Sequence, residues 1–155
     1  MIIFTIDAAS DVVTTLLGTY NTSGDARRVT LSADGQTAYV ADYTSGLQII
    51  DVSTGSSPVL LGTYDTYKAV DVTLSTDGQT AYVADNAAGL KIIDVSTGSN
   101  PTLLGSYSTS GFANGVTLST DGQTAYIAAS YSGLQIIDVS TGSSPTLLGT
   151  YDTSG

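Results

Sequence analysis

The side chains that most often carry catalysis are missing from this sequence. It contains no histidine, cysteine or glutamate, which removes the common general bases, thiol nucleophiles and imidazole or thiolate metal ligands. Any chemistry would therefore rest on aspartate, tyrosine, serine and lysine. From this inventory we predict no catalytic residue, no metal, no cofactor, and a protein that is not an enzyme.

Aspartate supplies all fourteen acidic residues, and many of them recur at fixed places. One set ends an apolar run, and backbone N–H groups of the turn that follows can bond to its carboxylates. This set is Asp7, Asp51, Asp94 and Asp138. A second set stands in "DGQTAY" without the repeated carboxylates of a calcium loop; it is Asp34, Asp77 and Asp121. We predict structural roles for both sets, whereas Asp42 and Asp85 could ring a central channel and hold a hydrated cation.

A second kind of chemistry, recognition of a partner, is indicated by aromatic and cationic residues that do not follow the repeated positions. Tyrosine and arginine are enriched in binding interfaces. The candidate binding residues are Arg27, Arg28, Tyr43, Tyr67, Lys68, Asp71, Phe112, Asn114 and Tyr131. The alternative is that loops vary wherever packing tolerates change.

The net charge of −10 restricts the possible partners. A strongly acidic surface repels phosphate backbones and anionic lipids, so we expect no nucleic acid as a partner. No apolar run has the length of a membrane span, and the opening "MIIFTI" is too short and too uncharged for a secretory signal. If the protein is secreted, we expect its signal to have been removed.

An internal repeat determines where these candidates lie. The glycine of "LLG" stands at Gly18, Gly62, Gly105 and Gly149, in steps of 44, 43 and 44 residues. The opening of the chain belongs to the same series, because Asp7 precedes Gly18 by the same 11 residues that separate the later pairs. The sequence therefore predicts three full repeats preceded by half a repeat.

Each repeat contains four short apolar runs separated by turn residues, a pattern typical of antiparallel strands. In the first full repeat, strand A is "RVTLS", strand B "TAYVAD", strand C "LQIIDVS" and strand D "VLLGTY". Gly35 supplies the positive φ that a tight A–B turn needs, and Pro58 ahead of strand D indicates an outer strand. Strand C is apolar on both faces, so its sheet should be covered on both sides. These features predict an all-β, β-propeller-like array of four-stranded antiparallel blades.

The repeated phrases also resemble known propeller families. "LQIIDVS" and "LKIIDVS" resemble the LVIVD repeat of bacterial and archaeal cell-surface propellers, and "TLSADGQTAYVAD" is similar to the strand pair of YVTN-type propeller repeats. The resemblance covers essentially the whole chain and implies a propeller fold with an extracellular or cell-surface location. The half repeat departs from the pattern, since "FTIDAASDVV" lacks both the turn glycine and the proline.

The predicted boundaries are a half blade at residues 1–24, made of strands C and D, and three full blades at 25–67, 68–111 and 112–155. Closed propellers have about 4 to 8 blades, and an isolated hairpin is marginal in water. We therefore expect the ring to be completed by oligomerisation, with another copy of the chain as the main partner. Three alternatives stay open, namely a segment of a longer propeller, a designed repeat, and the unit of an open polymer.

The path of the chain places the candidate binding residues on one face. If strand A runs down, the A–B and C–D turns lie on a lower face, and the B–C and D–A loops lie on an upper face. The repeats barely differ below and differ clearly above. Two functions remain open. One is a non-enzymatic extracellular structural module that self-associates into a ring or filament, and the other is a recognition propeller that binds a protein or glycan through its upper-face loops.

Overall fold

The computed structural model of the 155-residue chain describes residues 4–6 and 12–153. These residues form one two-stranded and three four-stranded sheets, all antiparallel. The two-stranded sheet contains β1 (Phe4–Ile6) and β2 (Val12–Thr14). Blade 1 contains β3 (Arg28–Leu31), β4 (Thr37–Ala41), β5 (Leu47–Asp51) and β6 (Val59–Tyr64). Blade 2 contains β7 (Asp71–Leu74), β8 (Thr80–Ala84), β9 (Leu90–Asp94) and β10 (Thr102–Tyr107). Blade 3 contains β11 (Gly115–Leu118), β12 (Thr124–Ala128), β13 (Leu134–Asp138) and β14 (Thr146–Tyr151). The prediction of four-stranded blades after a half blade is confirmed.

The strands of each blade lie side by side in chain order, with strand A at one edge and strand D at the other. The A strands of successive blades contact one another, β3 with β7 and β7 with β11. A side-chain hydrogen bond joins the first two, since the Thr30 hydroxyl donates to the Val72 carbonyl over 2.7 Å. Strand A is therefore the inner strand and strand D the outer one, as the proline positions predicted.

The lower turns are held by the recurring aspartates. In the A–B turn of blade 1, the Ser32 hydroxyl and the Gln36 N–H both donate to Oδ1 of Asp34, over 2.6 and 3.0 Å, and Gly35 has a φ of 70°. In the C–D turn, the N–H of Ser53 donates to Oδ1 of Asp51 over 2.8 Å. Both arrangements recur in blades 2 and 3. The structural roles are confirmed wherever the aspartate is described; Asp7 lies outside the described residues.

The core lies between blades. We call the side of a blade that packs on the following blade its back face, and the side that packs on the preceding blade its front face. The core between blades 1 and 2 joins Tyr39, Ala41, Leu47 and Ile49 of one back face to Val72, Ala81, Val83, Ile93 and Val95 of the next front face. The equivalent residues of blades 2 and 3 form a second core. Sheets covered on both sides explain the doubly apolar strand C.

The glycine of "LLG" has a packing reason. A Cβ added to Gly62 would lie 2.4 Å from the carbonyl oxygen of Gly98, in the C–D turn of blade 2. Gly105 meets Gly142 of blade 3 in the same way, at 2.2 Å. Only glycine lets the outer strand approach the next blade this closely.

The half blade differs from the full blades. Thr5 of β1 lies opposite Val13, whereas the equivalent residue of blade 1, Ile49, lies opposite Gly62. Because the sequence here lacks the turn glycine and the proline, the hairpin closes sooner, and residues 15–20 form no strand. The predicted strand D of the half blade, which the 44-residue step from Gly18 to Gly62 places at residues 15–20, is therefore not formed there. Residues 15–20 still pack as an outer strand does, since a Cβ on Gly18 would lie 2.4 Å from the Gly55 carbonyl oxygen.

Helical structure is minor in the described part of the chain. It consists of one 3₁₀ turn at Ser130–Ser132, and no helix there is long and apolar enough to cross a membrane.

Candidate binding site on the upper face

The B–C loops are held to the next blade by pairs of backbone hydrogen bonds. Tyr43 exchanges two such bonds with Ala69, of 2.9 and 3.0 Å, and Asn86 exchanges two with Ala113, of 3.1 and 2.9 Å. Tyr43 and Asn86 both adopt the left-handed conformation, with φ near 48° and 47°. This conformation is uncommon for residues other than glycine. The two hydrogen bonds to Ala69 hold the Tyr43 backbone in it, and this fixed backbone sets the position of the Tyr43 ring.

The D–A loops are anchored by buried carboxylates. Asp42 accepts hydrogen bonds from the Thr22 hydroxyl and the Gly24 N–H, over 2.7 and 2.9 Å. Asp85 accepts them from the N–H groups of Tyr67 and Lys68, over 3.0 and 2.6 Å. Both aspartates are fully buried, so the idea that they hold a hydrated cation in a channel is wrong. They hold the loops that carry candidate binding residues.

Four of the nine candidate residues form one cluster, which we call the Tyr43 cluster. The Arg27 guanidinium lies 4.8 Å from the centre of the Tyr43 ring, and the Lys68 ammonium lies 5.2 Å from it. The Lys68 ammonium is also 5.2 Å from the ring centre of Tyr67. Two cations thus lie within cation–π range of one ring. The Arg27 side chain is also paired with Asp25, 2.6 Å away.

The neighbouring tyrosines strengthen the preference of Lys68 for its charged form. A hydrogen bond with the Tyr43 side chain raises the pKa of Lys68 above its usual value, and the nearby charges of the Tyr43 and Tyr67 phenols raise it further. Lys68 is an ammonium throughout the neutral range, as an exposed lysine is, and the raised pKa extends that range upward. It can stabilise a negative charge and is unsuited to act as a base there.

Two more candidate residues form an ion pair beside this cluster. Nε of Arg28 lies 3.2 Å from Oδ1 of Asp71. Asp71 also accepts the N–H of Val72 over 2.9 Å and that of Val116, in blade 3, over 3.0 Å. This carboxylate therefore links the inner strands of three blades and is engaged by structural donors.

The other three candidates lie on blade 3. The rings of Phe112 and Tyr131 meet edge to face with centroids 5.9 Å apart, and Asn114 is exposed nearby in the same loop as Phe112. Within the described residues no hydrogen bond, ion pair or ring contact joins them to the Tyr43 cluster. The structure therefore divides the nine candidate residues into three groups: the Tyr43 cluster, the Arg28–Asp71 pair, and the three residues of blade 3. That any of them binds a ligand stays a prediction. No group of three or more carboxylates in the described chain is arranged to hold a metal ion.

Comparison with known proteins establishes the family. The LVIVD repeat model matches residues 23–66, 68–109 and 110–153, which is most of the chain. The chain therefore belongs to the LVIVD repeat family, as the resemblance of its repeated phrases predicted. No curated protein sequence matches it.

Solved structures share the fold. The periplasmic gluconolactonase of Pseudomonas aeruginosa superposes with a TM-score of 0.75 and 13% identity, over 99% of this chain and 50% of that one. A Bacteroides fragilis protein assigned as a 6-phosphogluconolactonase gives a TM-score of 0.73 and 20% identity, over 93% of this chain and 45% of that one. A β-propeller domain from Myceliophteria thermophila gives 0.62 and 15%, over 82% and 39%. The chain spans about half the length of the first two, and identities this low define the fold alone.

These similarities contradict the prediction of a non-enzymatic scaffold or recognition module. That prediction excluded enzymes from the residue inventory, yet several propellers of this fold are named as lactonases. Lactone opening requires water and charge stabilisation rather than a thiol or an imidazole, so the missing residue types do not exclude it.

Proposed function

We propose that this chain forms blades of a propeller hydrolase that opens a sugar-derived lactone above the Tyr43 cluster. The observation that carries the proposal is the position of the cations. Three of the four Lys and Arg residues of a chain with net charge −10 lie in or beside this cluster. The names of the similar propellers support the choice of reaction.

The charges suit the reaction. Water attacks the lactone carbonyl carbon, the carbonyl oxygen becomes an oxyanion, the ring C–O bond breaks, and the released alkoxide takes a proton to give a hydroxy acid. Both the oxyanion and the product carboxylate are anions, and so is the phosphate of a phosphorylated sugar. Fixed cations at the place where this charge develops lower the barrier.

Residues of the Tyr43 cluster can be given roles in this scheme. The ammonium of Lys68 and the guanidinium of Arg27, which both lie over the Tyr43 ring, would stabilise the oxyanion. Asp25 would take the proton from the attacking water and return it to the leaving alkoxide. Asp25 is 61% exposed and bonded to Arg27 alone in the described chain, whereas Asp71 is engaged by two backbone N–H groups.

The proposal is tested by the rate at which the purified chain releases protons from δ-gluconolactone and from 6-phosphogluconolactone, measured above the spontaneous rate. Lys68→Gln should lower kcat/KM by roughly 100-fold or more, as the loss of an oxyanion partner does. Lys91→Gln is the matched control, because glutamine already stands at the equivalent positions of the other blades, Gln48 and Gln135. No rate above background, or equal rates for the two variants, would overturn the proposal.

The location and partner of the chain belong to this proposal. We place the protein outside the cell or at its surface, which the LVIVD resemblance implies and the periplasmic neighbour supports. A closed propeller needs more than three blades, and a second copy of the chain is the partner we propose for closure.

A further inference from the structure

Parts of two sheet faces are exposed although their repeat equivalents are buried. Ala128 on the back face of blade 3 is exposed, whereas its equivalent Ala41 in blade 1 is fully buried. Val29 on the front face of blade 1 is 58% exposed, whereas its equivalent Val72 is 2% exposed. On blade 1 the open part of the front face is β3, because the front-face residues of β4 and β5 are buried within the chain. The two faces are the two halves of an inter-blade core.

The backbone shows the same two unmatched halves. Ser130 is the blade 3 equivalent of Tyr43 and has the same left-handed φ, 49°. Ala26 is the blade 1 equivalent of Ala69, with which Tyr43 exchanges two hydrogen bonds. Within the described residues, neither the N–H of Ser130 nor the N–H and C=O of Ala26 has a backbone partner. The backbone groups of Ser130, at the blade 3 end of the array, are therefore complementary to those of Ala26, at the blade 1 end.

Cavities mark the missing contacts. One of about 300 Å³ lies on the back face of blade 3 beside Ser130 and Leu134. In the junction of blades 1 and 2, Ala69 and Leu47, the equivalent of Leu134, belong to one buried core. Another cavity, of about 490 Å³, lies over the front face of blade 1 beside Val29 and Ile50.

We propose that the back face of blade 3 docks on the front face of blade 1 of a second copy, with Ser130 bridging to Ala26 of that copy. The contact continues the blade-to-blade packing that the chain already uses twice, with equivalent residues on both sides. It is a head-to-tail contact, so it closes a ring if the rotation per copy allows and builds a filament if not. This docking rests on the partner proposed above for closure and specifies its interface, but it does not depend on the hydrolase activity.

Residues 15–20 already occupy the place on blade 1 that the outer strand of the docking blade would take. Residues 15–20 read "TLLGTY", the same six residues as β14 (Thr146–Tyr151). Gly18 packs on the Gly55 turn of blade 1, whereas a Cβ added to Gly149 would meet no atom within 4 Å. When a second copy docks, its β14 can replace residues 15–20 and make the same contacts, and its β12 and β13 displace the residues that now cover the front faces of β4 and β5. Docking therefore exchanges one copy of the segment for another.

Light scattering coupled to size exclusion, over a wide range of concentrations, tests the association. We expect the measured mass to rise with concentration to two or more times the mass of one chain. Gly149→Ala should leave the far-ultraviolet circular dichroism unchanged and weaken association roughly 10- to 100-fold, because its Cβ would meet the Gly55 turn of the second copy. Thr150→Ala, which alters the opposite face of β14, should associate like the wild type. A monomer at every concentration, or normal association of Gly149→Ala, would overturn the proposal.

Cross-linking tests the pairing itself, and the chain has no native cysteine to interfere. The double variant Ala26→Cys, Ser130→Cys should give covalent dimers and larger multiples with a short bis-maleimide. The control Ala26→Cys, Thr120→Cys places one cysteine on the lower face and should not. Equal cross-linking of the two variants would refute the pairing. Lactone hydrolysis is measured in a separate assay, so a failure of the docking proposal would not decide whether the chain is a hydrolase.

Discussion

Arg28 and Asp71 occupy the same position in two successive inner strands, and Nε of the first lies 3.2 Å from Oδ1 of the second. The register makes this clear, since Arg28 lies opposite Ala41 and Asp71 opposite the equivalent Ala84. The third member of the series is Gly115, next to the Val116 N–H that Asp71 accepts. One carboxylate therefore joins three blades at the axis.

The two halves of this ion pair should differ in their effect on stability. Arg28 is 64% exposed, so Arg28→Ala should lower the free energy of unfolding by at most about 1 kcal/mol. Asp71 is 13% exposed and accepts two backbone N–H groups, so Asp71→Ala should cost about 1–3 kcal/mol by leaving these donors unpaired. Urea unfolding of both variants measures the difference. Equal losses would show that the ion pair, rather than the backbone bonds, holds the inner strands.

The buried anchor Asp85 should control both stability and the site. Asp85→Ala removes the acceptor of the Tyr67 and Lys68 N–H groups, and we expect a loss of about 1–3 kcal/mol in the free energy of unfolding. Because this loop carries Lys68, lactone hydrolysis should fall as well. Asp85→Asn keeps one acceptor oxygen, so its free energy of unfolding should lie between those of the wild type and Asp85→Ala. An Asp85→Ala variant as stable as the wild type would contradict the anchoring role.

Much of the fold was predictable because the repeat makes it local. Turn residues such as Gly35 and Asp34 act within a few positions, and their pattern predicted the strand pairs. The half blade was harder, since nothing in its sequence shows that residues 15–20 pack as an outer strand without pairing as one. These contacts depend on blade 1 rather than on local pattern.

The candidate site was predictable as a set of residues, and its geometry was not. Tyr43 was singled out because it breaks the repeat, yet its contacts with Arg27 and Lys68 arise from the bridge to Ala69. The role of Asp85 was missed for the same reason, because its donors lie 17 and 18 residues away across a blade junction. A comparison of Asp42 and Asp85 with Ala129 at the equivalent position of blade 3 was a signal that loop anchoring, and not a ring of charge, is their task.

Stability should fall in acid because of the lower turns. The Ser75 hydroxyl, and then the Gln79 N–H, lower the pKa of Asp77 below its ordinary value of 3.8, and Asp34 and Asp121 are lowered in the same way. A carboxyl with a lowered folded-state pKa stabilises the fold above its ordinary pKa, and this stabilisation is lost as the pH falls through the folded-state pKa. We therefore expect the urea midpoint to be level near neutral pH and to drop below about pH 4.

Serine variants show whether these turns are the cause. The double variant Ser75→Ala, Ser119→Ala removes the largest contribution in two turns, so its midpoint should differ from the wild type most above pH 4, and the difference should shrink in stronger acid. The double variant Thr76→Ala, Thr120→Ala alters adjacent turn residues and should follow the wild-type profile. A difference that stays constant with pH would show that the serines act only through their bonds to the backbone.

Glycine substitutions at two equivalent positions of the outer strands should separate folding from blade docking. In Gly62→Ala the new Cβ would lie 2.4 Å from the Gly98 carbonyl oxygen, and a backbone neighbour cannot rotate away, so blades 1 and 2 must move apart. Overpacking of this kind costs about 1–3 kcal/mol, occasionally more. Gly149→Ala places the same methyl group where no atom lies within 4 Å, so at the lowest usable protein concentration its urea midpoint should equal that of the wild type or exceed it slightly. Equal losses in both variants would mean that glycine is required by the bulged outer strand itself, rather than by the blade that packs against it.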